Sequence, residues 1–177
     1  HFEQFVSPVA NQIFDFVRDR QSLSSLFVCG DATRNLEVMC RTDCDNICID
    51  ENIALERIRD FTRGRNKSFG GNLKLTSVLL LGDEEDAQLD AIRCIDVGGG
   101  CGFVLAPGCD LPFQTPEKNL TAIATMVHDG YHREVAKRTI IAKTAEHAAE
   151  VALPDYAAES HVTVDVITLD SASCAPC

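Results

Sequence analysis

The chain reads as an α/β protein built on a parallel sheet, and three observations point there. Apolar strand-like runs alternate with amphipathic helical stretches four times in about 120 residues, the repeat that a parallel sheet requires. The last run, Phe103-Val104-Leu105-Ala106, is continuously apolar, as a strand buried on both faces is. Pro107-Gly108 stop it, and Thr115-Pro116-Glu117 open the next helix, with Thr115 predicted as N-cap and Pro116 at the first helical position. Cys109 and Asp110 therefore fall on a βα loop just beyond a strand's carboxyl end, where α/β proteins place their chemistry. The plainer reading of Cys109 is a small residue filling a tight turn.

The other elements follow in order. Ser7-Pro8 predicts a capped helix over residues 8–20, with Val9, Ala10, Ile13, Phe14 and Val17 on its apolar face. Leu23 to Cys29 predicts the first strand, and Asp31 is placed to cap a helix over 32–42. Asn46-Ile47-Cys48-Ile49-Asp50 is the second strand, followed by Glu51-Asn52 and a helix to about Thr62. The third is Ser68 to Leu73, where Gly70-Gly71 predicts close backbone approach. Thr76 to Leu81 packs as a short helix or loop. The acids Asp83-Glu84-Glu85 begin a helix that runs to Val97 and ends at Gly98-Gly99-Gly100. Four strands after a leading helix make either a small open sheet or the second half of a closed (β/α)8 barrel, which needs eight strands and roughly 250 residues.

Residues 131–151 are rich in Ala, Lys and Glu and predict a further helix, so the barrel-like domain covers 1–150. Leu153-Pro154-Asp155 marks a linker over 151–160. His161 to Leu169 alternates as a strand and leads into Cys174-Ala-Pro-Cys177.

Composition excludes some functions. With a formal charge of −11 the chain lacks the clustered cations that a nucleic-acid backbone demands. No apolar run approaches the ~20 residues of a membrane span, and the start shows no signal-peptide pattern. Nine cysteines are many for 177 residues. An odd count without a signal pattern suits a reducing cytoplasmic setting, with core thiols, metal ligands and redox thiols as the available roles. Cys40, Cys44 and Cys48 straddle a helix end, a turn and a strand, and read as ordinary thiols. His128 and His132 read as helix-end residues.

Taken together, Phe27-Val-Cys-Gly-Asp-Ala-Thr33, Ile47-Cys-Ile-Asp50, Gly70-Gly-Asn72, Leu105-Ala-Pro-Gly-Cys-Asp-Leu-Pro112, Thr115-Pro116 and Asn119 resemble the uroporphyrinogen decarboxylase superfamily. They look most like its cobalamin-dependent methyltransferases, over residues about 2–130. The resemblance implies the second half of a TIM barrel, with the N-terminal half of the barrel supplied from outside these residues. It implies methyl transfer from a methylated corrinoid, free or protein-bound, to a small thiol, with a zinc ion holding that thiol. Cys29 and Cys109 match the family's cysteine ligands, and Asp50 or Glu51 is the implied third. Phe27 stands where the family has a histidine, which leaves open that the two cysteines are plain thiols. Asn72 and Asp110 are the implied substrate contacts. The tail, 161–177, resembles the start of a thioredoxin-like domain, with Cys174 and Cys177 as its redox pair. Two other readings stay open: a tetrapyrrole decarboxylase of the same superfamily, and a non-catalytic barrel scaffold.

Overall fold

A computed structural model describes residues 1–151. The expected linker, the strand after it and the Cys174/Cys177 pair lie outside the described residues. Four strands, β1 (Ser25–Val28), β2 (Asn46–Ile49), β3 (Ser68–Leu73) and β4 (Phe103–Pro107), form one sheet in the order β1-β2-β3-β4. Every pairing is parallel. The helices are α1 (Ser7–Arg18), α2 (Leu36–Arg41), α3 (Leu55–Thr62), α4 (Glu84–Gly98), α5 (Glu117–His128) and α6 (Gly130–Val151). A helix between each pair of sequence-adjacent strands, with strand order equal to chain order, is the winding of a partial α/β barrel. An open doubly wound sheet would instead reverse its order at a switch point.

Strand alternation gives the sheet two unlike faces. Ile47, Ile49, Phe69 and Leu73 point into the helix layer and are buried, with Leu26, Val28, Phe103 and Leu105 packed against them. Leu36, Met39, Ile58, Leu79, Ala91 and Met126 complete that core from the helix side. The opposite, concave face is layered by register. Ser25, Asn46 and Ser68 make a hydrogen-bonded row at its amino end, Asn46 Nδ2 donating to Ser25 Oγ at 2.8 Å and Ser68 Oγ to Asn46 Oδ1 at 2.9 Å. Phe27, Cys48, Gly70 and Val104 form the next row, with Phe27 and Val104 both exposed. The uninterrupted apolar run Phe103–Ala106 thus covers one buried face and one open face, and Val104 is exposed where burial on both sides is expected from sequence.

The paired glycines of β3 are explained by the sheet itself. A Cβ on Gly70 would sit 2.6 Å from Cys48 Sγ, and one on Gly71 would sit 2.8 Å from the Ile49 carbonyl oxygen. Gly71 also has φ +127, which a side chain would strain. The close approach predicted from sequence is therefore to β2.

Helix ends divide into those read correctly and those not. Asp83 caps α4 through a reciprocal pair with Asp86, and Gly99 (φ 73) follows its last turn. Thr115 does not cap α5: Pro116 occupies the cap position, and Thr115 Oγ1 is buried without a partner. Ser7 is likewise inside α1 rather than before it, because a wide helical turn over Phe2–Val6 runs directly into the helix. Neither hydroxyl finds a hydrogen-bond partner. Asp31 makes a local turn, accepting from the Thr33 N–H at 3.0 Å, and α2 begins only at Leu36. Leu75–Leu80 is another wide helical turn.

Asn119 ties that turn to α5. It is fully buried and its amide donates to the carbonyls of Leu79 (3.1 Å) and Gly82 (2.9 Å). Asn119→Ala should destabilise the chain by about 2 kcal/mol, since a buried and a half-buried carbonyl lose their donor. Urea unfolding measures it, and a change under ~0.5 kcal/mol would show that water replaces the amide.

Candidate functional site at the carboxyl rim

Cys29 directly follows β1 and Cys109 lies two residues past β4, so the two belong to the edge strands of the sheet. Adjacent strands lie about 4.8 Å apart, which would put β1 and β4 roughly 14 Å apart in a flat sheet. Their sulfurs are 3.1 Å apart. The sheet therefore curls, and the loops after β1 and β4 bring their two cysteines together at the carboxyl rim. Curvature of this kind is what a barrel arc supplies.

Asp50, at the end of β2, stands between them in sequence and beside Cys29 in space. Its Oδ2 lies 3.4 Å from Cys29 Sγ and accepts the Gly30 N–H at 2.9 Å. Its Oδ1 accepts the Asn52 N–H at 2.8 Å and the Asn52 side-chain amide. Burial pushes the Asp50 carboxyl up, but the N–H groups of Gly30 and Asn52, with the Cys29 thiol and Asn52 amide, outweigh it and hold the carboxyl below its ordinary value. The same contacts act oppositely on the thiol. The hydrogen bond to Cys109 first, then that to Asp50, pushes Cys29 up to about 11. These contacts favour the protonated thiol at Cys29.

The other expected site residues have different placements. Glu51 points along the rim rather than at the sulfurs, its carboxylate accepting the Leu75 N–H and so holding the exit of β3. Gly108 packs against the Glu51 backbone, where a Cβ would come within 2.7 Å of the amide nitrogen. Asn72 is buried, and its amide donates to the carbonyls of Asp50 (3.3 Å) and Ile53 (2.5 Å). Its oxygen accepts from Arg93 at 3.2 Å. Asn72 thus fixes the loop that carries Asp50. Asp110 is exposed next to Cys109. Phe27 is 43% exposed on the same face as Cys29, one strand repeat below it.

Sequence reading missed the support beneath the rim. Asp90 and Arg93 of α4 pair at 2.8 Å, Asp90 also accepts the Lys74 N–H at 2.8 Å, and Arg93 carries the chain of bonds on to Asn72. The available signal was an acid, Asp90, on the same inner helix face as Ala87, Ala91 and Cys94, where burial demands a partner. Cys40, Cys44 and Cys94 are buried core thiols, Cys101 is exposed, and His132 bonds Asp129 at 2.6 Å.

These donors do not complete a zinc site. A catalytic zinc takes three protein ligands. Cys29 and Cys109 supply two sulfurs, Asp50 lies beside Cys29 with its oxygens hydrogen-bonded to Gly30, Asn52 and the Cys29 thiol, and Phe27 has no donor atom. Among the described residues no group of three or more His, Cys, Asp or Glu is arranged to hold a metal ion.

Fold and rim together define a partial α/β barrel carrying a cysteine pair at its carboxyl end. The chain belongs to the uroporphyrinogen decarboxylase (URO-D) family, whose profile matches residues 1–130. It is 29% identical over 119 residues to the methylcobamide:CoM methyltransferase MtbA of Methanosarcina acetivorans, covering 67% of this chain and 34% of that protein. It is 28% identical over 119 residues to the MtbA of Methanosarcina mazei, with the same coverage. The chain thus spans about a third of the length of the curated relatives it matches. A solved methyltransferase from Methanosarcina mazei has the same fold, with TM-score 0.64 at 24% identity over 73% of this chain and 37% of that one. Among the described residues no helix is long and apolar enough to cross a membrane.

Proposed function

We propose that this domain is the thiol-side part of a corrinoid-dependent methyltransferase, which moves a methyl group from a methylated corrinoid to a thiol. The observation that carries the reading is the cysteine at position 109, set against Cys29 on the rim. The resemblance places histidine there in decarboxylases and cysteine in methyltransferases. Similarity to two methylcobamide:CoM methyltransferases supports the same branch. The βα loops at this rim also expose large apolar side chains, Leu81 at 75% and Phe113 at 98%, which suits contact with the broad face of a corrinoid. A bound methylated corrinoid would supply the methyl group and keep the electron pair of the bond that is broken, while the acceptor sulfur gives up its proton and takes the methyl carbon. This chain's residues would form the acceptor side: Cys29 and Cys109 face the sulfur, and Asp50 and Asn52 hold Cys29 in place.

The test uses the full-length protein that carries these residues, incubated with methylcobalamin and a panel of small thiols including coenzyme M. Thiol-dependent loss of the methylcobalamin spectrum, lowered at least tenfold in Cys109→Ser, is the expected result. No methyl transfer to any thiol, together with turnover of uroporphyrinogen, would replace this reading by the decarboxylase one.

A further inference from the structure

We propose that Cys29 and Cys109 form a redox-active dithiol that is oxidised to a reversible disulfide by low-molecular-weight disulfides. The argument rests on geometry and does not depend on the methyltransferase reading. The two sulfurs are already in contact at 3.1 Å, and a disulfide needs about 2.05 Å, so a closure of roughly 1 Å makes the bond. Both partners sit on anchored backbone. The Gly30 N–H is held by Asp50, and Gly108 is wedged against the Glu51 backbone, so neither loop swings its sulfur away. Two thiolates bound to one zinc ion would lie nearly 4 Å apart, and Phe27, exposed on the same face of β1 as Cys29, offers no donor atom. What remains is a pair of opposed thiols reachable from solvent, Cys29 being exposed and Cys109 partly so.

The other described cysteines sharpen the assignment. Cys40, Cys44 and Cys94 are buried out of reach of a small disulfide, and Cys48 is half-buried on β2 with its sulfur accepting from the Asn46 amide. Cys101 is exposed but touches no second sulfur among the described residues, so it can form only a mixed disulfide. In the reaction Cys109 gives up its proton, attacks one sulfur of the small disulfide and releases one small thiol. Cys29 then attacks the sulfur of Cys109 and releases the second. Two protein thiols are oxidised, one small disulfide is reduced to two thiols, and the two protein protons leave on the products.

The full chain is reduced, freed of reductant and treated with oxidised glutathione, in a Cys174→Ser/Cys177→Ser background so that the distal pair does not contribute. Acid quenching, alkylation and peptide mass spectrometry then locate each sulfur. The expected product is a Cys29–Cys109 cross-linked peptide in most chains, reversed by dithiothreitol, with Cys101 carrying glutathione. Cys109→Ser should instead leave Cys29 with glutathione or as free thiol, and never cross-linked. Circular dichroism confirms that this rim variant is folded. Glutathione adducts at Cys29 or Cys109 of the parent chain without the cross-link would overturn the proposal, as would two unreacted thiols there while Cys101 is modified.

Discussion

Asp50→Ala should cost about 2–4 kcal/mol of stability and free Cys29 from its fixed position. Asp50 is buried, and its two oxygens satisfy the Gly30 and Asn52 N–H groups. Alanine leaves both donors without an acceptor at the mouth of the core, each worth about 1–3 kcal/mol when unsatisfied. The effect depends on pH with a definite sign. The folded-state carboxyl sits below its ordinary value, so the carboxylate's stabilisation is present above the unfolded value near ~3.9 and is lost as pH falls through the lower folded one. The parent chain should therefore lose its advantage over Asp50→Ala below about pH 4. Asp50→Asn separates charge from shape. With the negative charge gone, Cys29 should titrate lower than its value of about 11, seen as faster alkylation at pH 8–9. A parent-minus-variant stability that stays constant from pH 7 to pH 3 would show that the carboxylate is not what holds the rim.

Much of the fold was legible because its signals are local. The four βα units, the acidic start of α4 and its glycine stop each depend on neighbours within one turn or one strand. The false helix caps at Ser7 and Thr115 mark the limit of that logic. Each hydroxyl lies at a helix start, but the backbone path into the helix puts Val6 and Pro116 at the cap positions instead. The site divides the same way. Cys29, Asp50 and Cys109 could be placed at strand ends from the sequence, but not at 3.1 Å, because that depends on the curl of the whole sheet across four strands. Glu51 and Asp50 are indistinguishable in sequence as rim acids. Only the fold shows that Glu51 turns to the Leu75 N–H while Asp50 turns to Cys29. Asn72 is the sharpest case: the resemblance implies a substrate contact, and only the fold shows its amide bonded to two backbone carbonyls and its oxygen to Arg93.

Phe27→His should raise zinc affinity on the order of 100-fold. Phe27 and Cys29 alternate onto the same face of β1, and Phe27 is exposed enough for a histidine to take its place without disturbing the core. A complete four-ligand zinc site is worth roughly 10–16 kcal/mol, so one added ligand contributes about 3 kcal/mol, which is the stated factor. Removing a large exposed apolar ring costs little stability, because Phe27 contributes nothing to the helix-side core. The variant should bind zinc more tightly the higher the pH, since both thiols must lose protons and Cys29 begins from a pKa of about 11. Isothermal titration with zinc against parent, Phe27→His and Phe27→His/Cys109→Ser reads this directly. The double variant should fall back toward the parent. Equal affinity in parent and Phe27→His would mean that residue 27 does not face the sulfurs. A Phe27→His gain that survives loss of Cys109 would mean that the metal sits elsewhere on the concave face.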